Sequence, residues 1–297
     1  TLRTTKFQRY TGRVSYDTNP KHWFKGGMNA NFAHTKTNAT QYSGSSASNV
    51  FYTAQLMAPI YPVYKKDANG NDVLDANGNR VWDYGENGSR PQNQNSHCIA
   101  GLYDDPYHST SESVSARAYI TLGSDDDKAG FLKGLKGTIN FGMDYLTTNA
   151  MEYMNPHYGN QASNGGLITR KNASYMTFTL NELISYDRTF GRHEVSAMVG
   201  HEFYRDDYSY LEASRSGLAE GIFEVVGATI NSAESSSRTH RIESVFARAK
   251  YGFDDRYYLD ASWRTDGSSR FAPKTRWGHF WSVGASWRIS QEKFLKD

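Results

Sequence analysis

The chain has 297 residues, of which 38% are hydrophobic and 22% charged, and its formal net charge is +2. Its mean hydropathy is −0.71, and no apolar run approaches the roughly 18 residues that a membrane-spanning helix needs. This excludes a helical membrane protein, and the near-neutral charge gives no reason to expect a nucleic-acid partner. A β-barrel stays compatible with the composition, because only alternate residues of its strands face lipid.

Alternation of apolar and polar residues identifies nine strands. In the segment Arg256–Thr265, for example, Ala261 and Trp263 fall on one face while Ser262 and Arg264 fall on the other. Many of the segments have about ten residues, which is the length that crosses a bilayer at a tilt. In chain order the predicted strands are Phe7–Tyr16, Trp23–His34, Val114–Leu122, Leu135–Tyr145, Ser174–Tyr186, Val195–Phe203, Val245–Phe253, Arg256–Thr265 and His279–Ile289.

The predicted connections alternate between short and long along the chain. The short ones are Asp17–His22, Gly123–Gly134, Thr189–Arg192 and Asp254–Arg256. The long ones are Lys36–Ser113, Thr147–Lys171, Arg205–Thr239 and Asp266–Arg276. Short turns at one end and long loops at the other are typical of outer-membrane barrels, whose short turns are periplasmic. We therefore predict an all-β fold: an antiparallel transmembrane β-barrel segment in which nine strands, each paired with its sequence neighbour, form an open, curved sheet.

Several short motifs imitate functional sites without completing them. Asp67-Ala-Asn-Gly-Asn71 recurs as Asp75-Ala-Asn-Gly-Asn79, but its glycine stands fourth, where a calcium loop needs it sixth. A tight hairpin turn at each Asn-Gly explains the repeat more simply. The single cysteine, Cys98, has no partner for a disulfide and no neighbours at zinc-ligand spacing. We expect neither a metal nor a cofactor.

The sequence also gives no reason to expect catalysis. The carboxylate pairs Asp104–Asp105 and Asp206–Asp207 fall in predicted loops, where acidic residues usually serve solvation, whereas a glycosidase needs two carboxylates placed across a cleft. The chain lacks a phosphate-binding glycine motif and a nucleophile elbow. We therefore expect a protein that is not an enzyme and has no catalytic residues.

Several motifs resemble those of SusC/RagA-type TonB-dependent outer-membrane transporters, and together they span nearly the whole chain. The most specific of them lie near the C-terminus. The motifs are Tyr10-Thr-Gly-Arg13, Pro59-Ile-Tyr-Pro-Val-Tyr64, Ala100-Gly-Leu-Tyr-Asp-Asp105, Asp254-Asp-Arg-Tyr-Tyr-Leu259, Arg264-Thr-Asp-Gly-Ser-Ser-Arg-Phe271, Arg276-Trp-Gly278 and Trp287-Arg-Ile-Ser-Gln-Glu-Lys-Phe-Leu-Lys-Asp297.

This resemblance implies a transporter in the outer membrane of a Gram-negative bacterium. It implies a 22-stranded barrel in contact with membrane lipid, closed by an N-terminal plug and driven by TonB, importing oligosaccharides or peptides. A SusD-like surface lipoprotein would act as the substrate-binding lid. The polar start, Thr1-Leu-Arg-Thr-Thr-Lys6, has no signal-peptide core. We expect residues 1–297 to be one partial barrel domain, without plug and N-terminal domains and hence without the part that contacts TonB.

Aromatic residues in the long connections are the candidate substrate-binding residues, because their rings stack on sugars and their polar atoms form hydrogen bonds. The candidates are Trp82, Tyr84, Tyr103, Tyr107, Tyr153, His157 and Tyr158. For each of them, ordinary loop packing is the simpler explanation. Two other classes of protein remain open on the sequence: a passive porin or adhesin barrel, and a soluble secreted polysaccharide-binding β-protein.

Overall fold

The computed structural model describes residues 4–40, 49–86, 88–91, 94–123, 130, 132–159, 161–219 and 221–295. Nine antiparallel strands form one sheet in chain order, each paired with its sequence neighbours. They are β1 Lys6–Lys21, β2 Phe24–Ala39, β3 Tyr107–Gly123, β4 Leu135–Met154, β5 Leu167–Phe190, β6 His193–Ser216, β7 Thr229–Phe253, β8 Tyr257–Ser268 and β9 Trp277–Trp287. The predicted all-β architecture and strand order are confirmed. The sheet is not closed, since β1 and β9 form its two edges among the described strands.

The pairing register brings the apolar residues of neighbouring strands to one side of the sheet. Ala261 on β8 lies opposite Ala249 on β7 and Val283 on β9. This side is open: Trp281 is 77% exposed and Val283 71% exposed. A face of this kind is stable only against lipid or another apolar surface. We call it the outward face.

Polar side chains share the opposite side, the inward face, and bond to one another there. The hydroxyl oxygens of Ser262 and Ser282 lie 2.8 Å apart. Arg264 donates from Nη2 to Glu202 Oε1 at 3.0 Å and from Nε to Asp266 Oδ1 at 2.6 Å. The two faces therefore differ as the walls of a membrane barrel do, with a polar interior and an apolar exterior.

Tight turns join the strands at one end of the sheet. Gly191, between β5 and β6, has a φ of +59°, and Asp254 and Asp255, between β7 and β8, have φ values of +56° and +54°. Arg192 donates from Nε to Asp254 Oδ1 at 2.6 Å and so ties these two turns together. Glycine and aspartate tolerate this left-handed backbone better than most residues, which explains their presence here.

Strands β1 to β7 are longer than the sequence predicts, and the difference is largest in the central strands β5, β6 and β7. β5 and β6 each have 24 residues and β7 has 25. The predicted connections Thr147–Lys171 and Arg205–Thr239 were therefore wrong over most of their length, and the loops that remain are 155–166 and 217–228. In these extensions most residues of both faces are polar. The apolar–polar alternation that identifies a strand in a sequence is therefore missing there.

The outward face carries a polar pair among its apolar residues. Glu182 and His201 are cross-strand partners, and His201 Nδ1 lies 2.7 Å from Glu182 Oε2. Glu243 Oε1 lies 3.4 Å from His201 Nε2. Ionisable groups facing lipid are costly unless they are paired, so these contacts make the residues tolerable on this face. They border a shallow groove of about 430 Å³ that Gly137 also lines.

Helices are a minor part of the described structure. α1 spans Val50–Leu56 and α2 spans Gly101–Asp104, and both belong to the long connection between β2 and β3. Asn49 caps α1, since its Oδ1 accepts the backbone N–H groups of Phe51 at 3.0 Å and Tyr52 at 3.3 Å. None of the helices described is both long and apolar enough to traverse a bilayer.

Opposite tolerances to charge are expected at two adjacent residues of β8. Ala261→Arg should cost roughly 2–4 kcal/mol at mid-bilayer, because the guanidinium would face lipid. Ser262→Arg should cost far less, because it adds a charge to the polar inward face. Folding titrations of the whole barrel in lipid vesicles measure both costs. Equal costs, or the reverse order, would mean that the assignment of the two faces is wrong.

Candidate functional site

The connection between β2 and β3 folds into a small unit of its own. Three stretches pair antiparallel within it, through the bridges Tyr64–Trp82, Lys66–Asp72 and Leu74–Arg80. The two Asp-Ala-Asn-Gly-Asn repeats form the turns between them. In each, the aspartate Oδ1 accepts backbone N–H groups two and four residues later, at 2.9 and 2.8 Å. Gly70 and Gly78 supply the positive φ values, +85° and +82°.

Trp82 is the centre of a stack of aromatic rings on this unit. The Tyr64 ring lies 4.8 Å from it and the Tyr103 ring 6.1 Å, both within about 20° of parallel. The Arg80 guanidinium covers the Tyr64 ring at 3.8 Å. Offset-stacked rings and cation–π contacts of this kind stabilise a surface unit that has little buried core.

His97 joins the aromatic stack to the backbone of the unit. Its Nδ1 accepts the N–H groups of Ile99 at 3.1 Å and Ala100 at 3.0 Å. Because Nδ1 accepts, Nε2 carries the hydrogen and donates to the Val63 carbonyl at 2.9 Å. Burial lowers the pKa of His97, so the ring stays neutral. It lies 5.2 Å from Trp82, so it helps to hold the stack in place.

Tyr84 connects this unit to the loop between β4 and β5. It is only 2% exposed, and its ring stacks on Tyr158 with centroids 5.0 Å apart and planes 9° apart. Its hydroxyl donates to Asp104 Oδ2 at 3.0 Å. Burial, followed by the charges of Asp104 and Asp105, raises the pKa of Tyr84. The phenol therefore stays protonated and keeps donating.

A chain of hydrogen bonds sets the backbone of the same loop. Asp105 Oδ1 accepts from the N–H of Asn155 at 2.9 Å and from its Nδ2 at 3.0 Å. Asn155 Oδ1 in turn accepts the N–H groups of His157 at 3.0 Å and Tyr158 at 2.8 Å. Asp105 thus fixes Asn155, which fixes the two ring-bearing residues. Burial raises the pKa of Asp105 to about 6, although the bonds from Asn155 oppose that shift.

The ends of β4 and β5 supply a buried apolar core beside this loop. Met151, Tyr153 and Ile168 are each less than 10% exposed, and Leu218 packs against them. The Tyr153 ring lies 4.7 Å from Phe223. Tyr153 pairs with Ile168, and the register of β4 with β5 is unbroken from Leu135 to Met154. Tyr153 therefore has the same alternation as the apolar residues of the Leu135–Tyr145 segment. It therefore belongs to the outward face, at the lip of the wall.

A cavity of about 520 Å³ lies where these parts meet. Its lining includes five predicted site residues, namely Trp82, Tyr103, Tyr153, His157 and Tyr158. Tyr84 stands behind the lining and supports Tyr158. Tyr107 begins β3, opposite Ala39 and Glu152, and does not line the cavity. The structure thus brings six of the seven candidates together and leaves Tyr107 apart.

The sequence missed several other residues of the cavity. Its lining also includes Arg80, Asp104, Asn155 and Phe223. The interpretation of the Asp104–Asp105 pair as solvated loop acids was wrong, because Asp104 accepts from the Tyr84 hydroxyl and Asp105 accepts from the backbone N–H of Asn155. The other pair is not in a loop either: Asp206 and Asp207 lie within β6. The signal available in the sequence was the position of Asp104 and Asp105 directly after the residues Leu102 and Tyr103 of α2.

The packing of this site should depend on pH through Asp105. Its pKa is raised, so the folded site binds more protons than the unfolded chain between about pH 4 and pH 6. Its contribution is therefore greatest below about pH 4 and is lost as the pH rises through 6. Asp105→Asn, which keeps an acceptor for Asn155, should weaken that dependence and slow local opening at pH 7. Hydrogen exchange of residues 155–159, corrected for intrinsic rates, measures it. An unchanged pH profile in the variant would contradict this role.

Comparison with known proteins finds relatives of this chain, although no family model matches it. The TonB-dependent receptor SusC of Bacteroides thetaiotaomicron is 26% identical over 100% of this chain and 29% of its own length. The TonB-dependent receptor P3 of Formosa agariphila is 25% identical over 99% of this chain and 28% of its own. The chain therefore spans less than a third of these relatives.

Solved structures share the fold of the chain. The structure of the RagAB peptide transporter matches 99% of this chain and 31% of its own, with a TM-score of 0.72 at 23% identity. The open-open state of the RagAB peptide importer gives a TM-score of 0.73 at 22% identity. At such identities the likeness establishes the fold of the wall.

The nine-stranded sheet, with its apolar outward face, is thus part of the barrel of a TonB-dependent receptor in the outer membrane of a Gram-negative bacterium. Within that class, the chain is similar to SusC over its whole length and shares its fold with RagAB. The family resemblance that the motifs predict is confirmed, as is the outer-membrane location. Both of these relatives are named as receptors.

Proposed function

We propose that the transporter to which this chain belongs imports oligosaccharides, or alternatively peptides, across the outer membrane with energy supplied by TonB. The observation that carries the proposal is the match to the TonB-dependent receptor SusC over the full chain. The peptide alternative draws on the name of RagAB, a peptide transporter with the same fold. Following the family pattern, a plug in the whole protein would contact TonB, and a SusD-like surface lipoprotein would cover the barrel.

In this proposal the cavity at the lip of the wall is where substrate meets the transporter. Tyr103, which is 45% exposed, and Tyr158 would present ring surface. Asp104 and Asn155 would offer polar groups to hydroxyls or amides. Trp82 already stacks with Tyr64 and Tyr103, so it would chiefly hold Tyr103 in place. Tyr84 would position Tyr158 rather than touch substrate. No role follows for Tyr107.

Dependence of uptake on TonB tests the proposed transport. Cells that carry the whole transporter should accumulate labelled oligosaccharides or peptides, and deletion of TonB should abolish accumulation while surface binding persists. Active import needs the inner-membrane energy supply, whereas a passive porin does not. Uptake that continues at the same rate without TonB would overturn active import in favour of the passive barrel.

Removal of one ring of the cavity should weaken uptake without harming assembly. Tyr158→Ala takes away a ring worth about 0.5–1.5 kcal/mol beyond its buried area, so the concentration for half-maximal uptake should rise several-fold. Tyr107→Ala is the matched control, because Tyr107 also lies near the extracellular end of the wall but outside the cavity. Uptake is measured beside the surface abundance of the barrel. Equal effects of the two changes at equal abundance would contradict the assignment of the site.

A further inference from the structure

The long central strands create a second surface, distinct from the cavity at the lip. The regular apolar alternation on the outward face of β6 ends near Phe203, yet the strand continues to Ser216. On the inward face, Asn181 donates from Nδ2 to Glu202 Oε2 at 3.1 Å. From these two residues toward the extracellular end, every second residue of β5 and of β6 lies on the same face. The extensions therefore form the extracellular part of the inner wall.

Tyrosines mark this part of the inner wall. Tyr175 on β5 and Tyr208 on β6 are direct cross-strand partners with ring centroids 4.7 Å apart. Arg238 on β7 is the next partner in the row, and its guanidinium lies 5.1 Å from the centre of the Tyr208 ring. Nearer the membrane, Tyr204 meets the His240 ring at 6.2 Å. We call Tyr175, Tyr204 and Tyr208 the inner tyrosine track.

Hydrogen-bonding groups lie between the rings of the track. Asp206, on the inward face of β6 between Tyr204 and Tyr208, pairs across the strands with Thr177 and His240. Tyr175 keeps 40% of its surface exposed, so ring surface and polar groups are presented side by side. A sugar ring needs both, because its C–H face stacks on an aromatic ring while its hydroxyls require donors and acceptors.

The surface suits a sugar better than a peptide. Peptides bind sheets chiefly by adding a strand to a free edge, with pockets for alternate side chains. β5 and β6, which carry the three tyrosines, are paired on both sides along the track, whereas β7 is paired with β8 only over Ile242–Phe253. The track itself is an interior stretch of wall rather than an edge. Binding there has to use side chains projecting from a flat wall, and the side chains present are phenol rings among polar groups.

We infer that the inner tyrosine track is a carbohydrate-binding surface that receives an oligosaccharide inside the barrel mouth after it leaves the lip. This inference rests on the proposed function and names the substrate class that the inner wall accepts. Because the rings lie on adjacent strands, the oligosaccharide can pass from one stacking partner to the next without losing all of its contacts.

The test uses the whole transporter and a panel of linear α-glucan, β-glucan and mannan heptasaccharides together with a pool of decapeptides. Wild-type uptake identifies which probe is imported. The double variant Tyr175→Ala/Tyr208→Ala should lower the affinity of the purified transporter for that heptasaccharide about ten-fold, since two stacking rings are lost. The double variant Tyr175→Phe/Tyr208→Phe keeps the rings and should stay within about two-fold of wild type.

Two controls separate binding from folding. Leu211→Ala removes a side chain that is 57% exposed on the outward face of the same strand, and should leave affinity unchanged. Surface abundance shows whether each variant assembles, and the phenylalanine pair tests the track even where the alanine pair does not assemble. In that case, a loss of affinity in the phenylalanine pair comparable to that expected for alanine would overturn stacking as the mode of binding.

The outcomes distinguish this inference from the proposed function. If the wild type shows no TonB-dependent uptake of any probe, the proposed function fails and the inference fails with it. If a heptasaccharide is imported and Tyr158→Ala weakens its uptake, but the assembled alanine pair binds it like wild type, the inference alone is overturned. If peptides are the only imported probes, import stands and the carbohydrate class is wrong.

Discussion

The structure depends on one constraint, which is that no backbone polar group within the lipid can be left without a hydrogen bond. Pairing of each strand with its sequence neighbours meets this demand between the two edge strands, β1 and β9. Once the backbone is satisfied, the side chains divide between two solvents. Alternation places Ala261 against lipid and Ser262 against the aqueous interior, although the two residues are adjacent. The hydrophilic composition of the chain and its place in a membrane are therefore compatible.

The same constraint explains how far the sequence could predict the fold. Where one face meets lipid, as from Leu135 to Tyr145, alternation is strict and the strand is readable. Beyond Phe203 most residues of both faces are polar, and only cross-strand hydrogen bonds, which a single sequence does not display, keep the chain extended. Strand number and pairing order were therefore predictable, whereas the lengths of β1 to β7 were not, least of all those of β5, β6 and β7.

The candidate site was predictable by residue type but not by arrangement. Aromatic residues in polar connections were visible as candidates for recognition. The stacking of Tyr84 on Tyr158 joins positions far apart in the chain, and no periodic pattern encodes such a contact. Burial of Asp105 was equally hidden, because a loop acid is ordinarily solvated. The role of Asp105 is visible only in the structure, where it orients Asn155 and Asn155 in turn accepts the backbone N–H groups of His157 and Tyr158.

The length of the central strands also sets how far the wall stands above the membrane. β6 has 24 residues, which extend about 80 Å at 3.3 Å per residue. A tilted strand needs only about ten residues to cross the bilayer, so roughly 45 Å of β6 stands clear of the lipid. The strands at the barrel mouth thus continue well beyond the membrane plane. In the proposed transport, a polymer too stiff to bend toward the membrane would be engaged by its free end at that height.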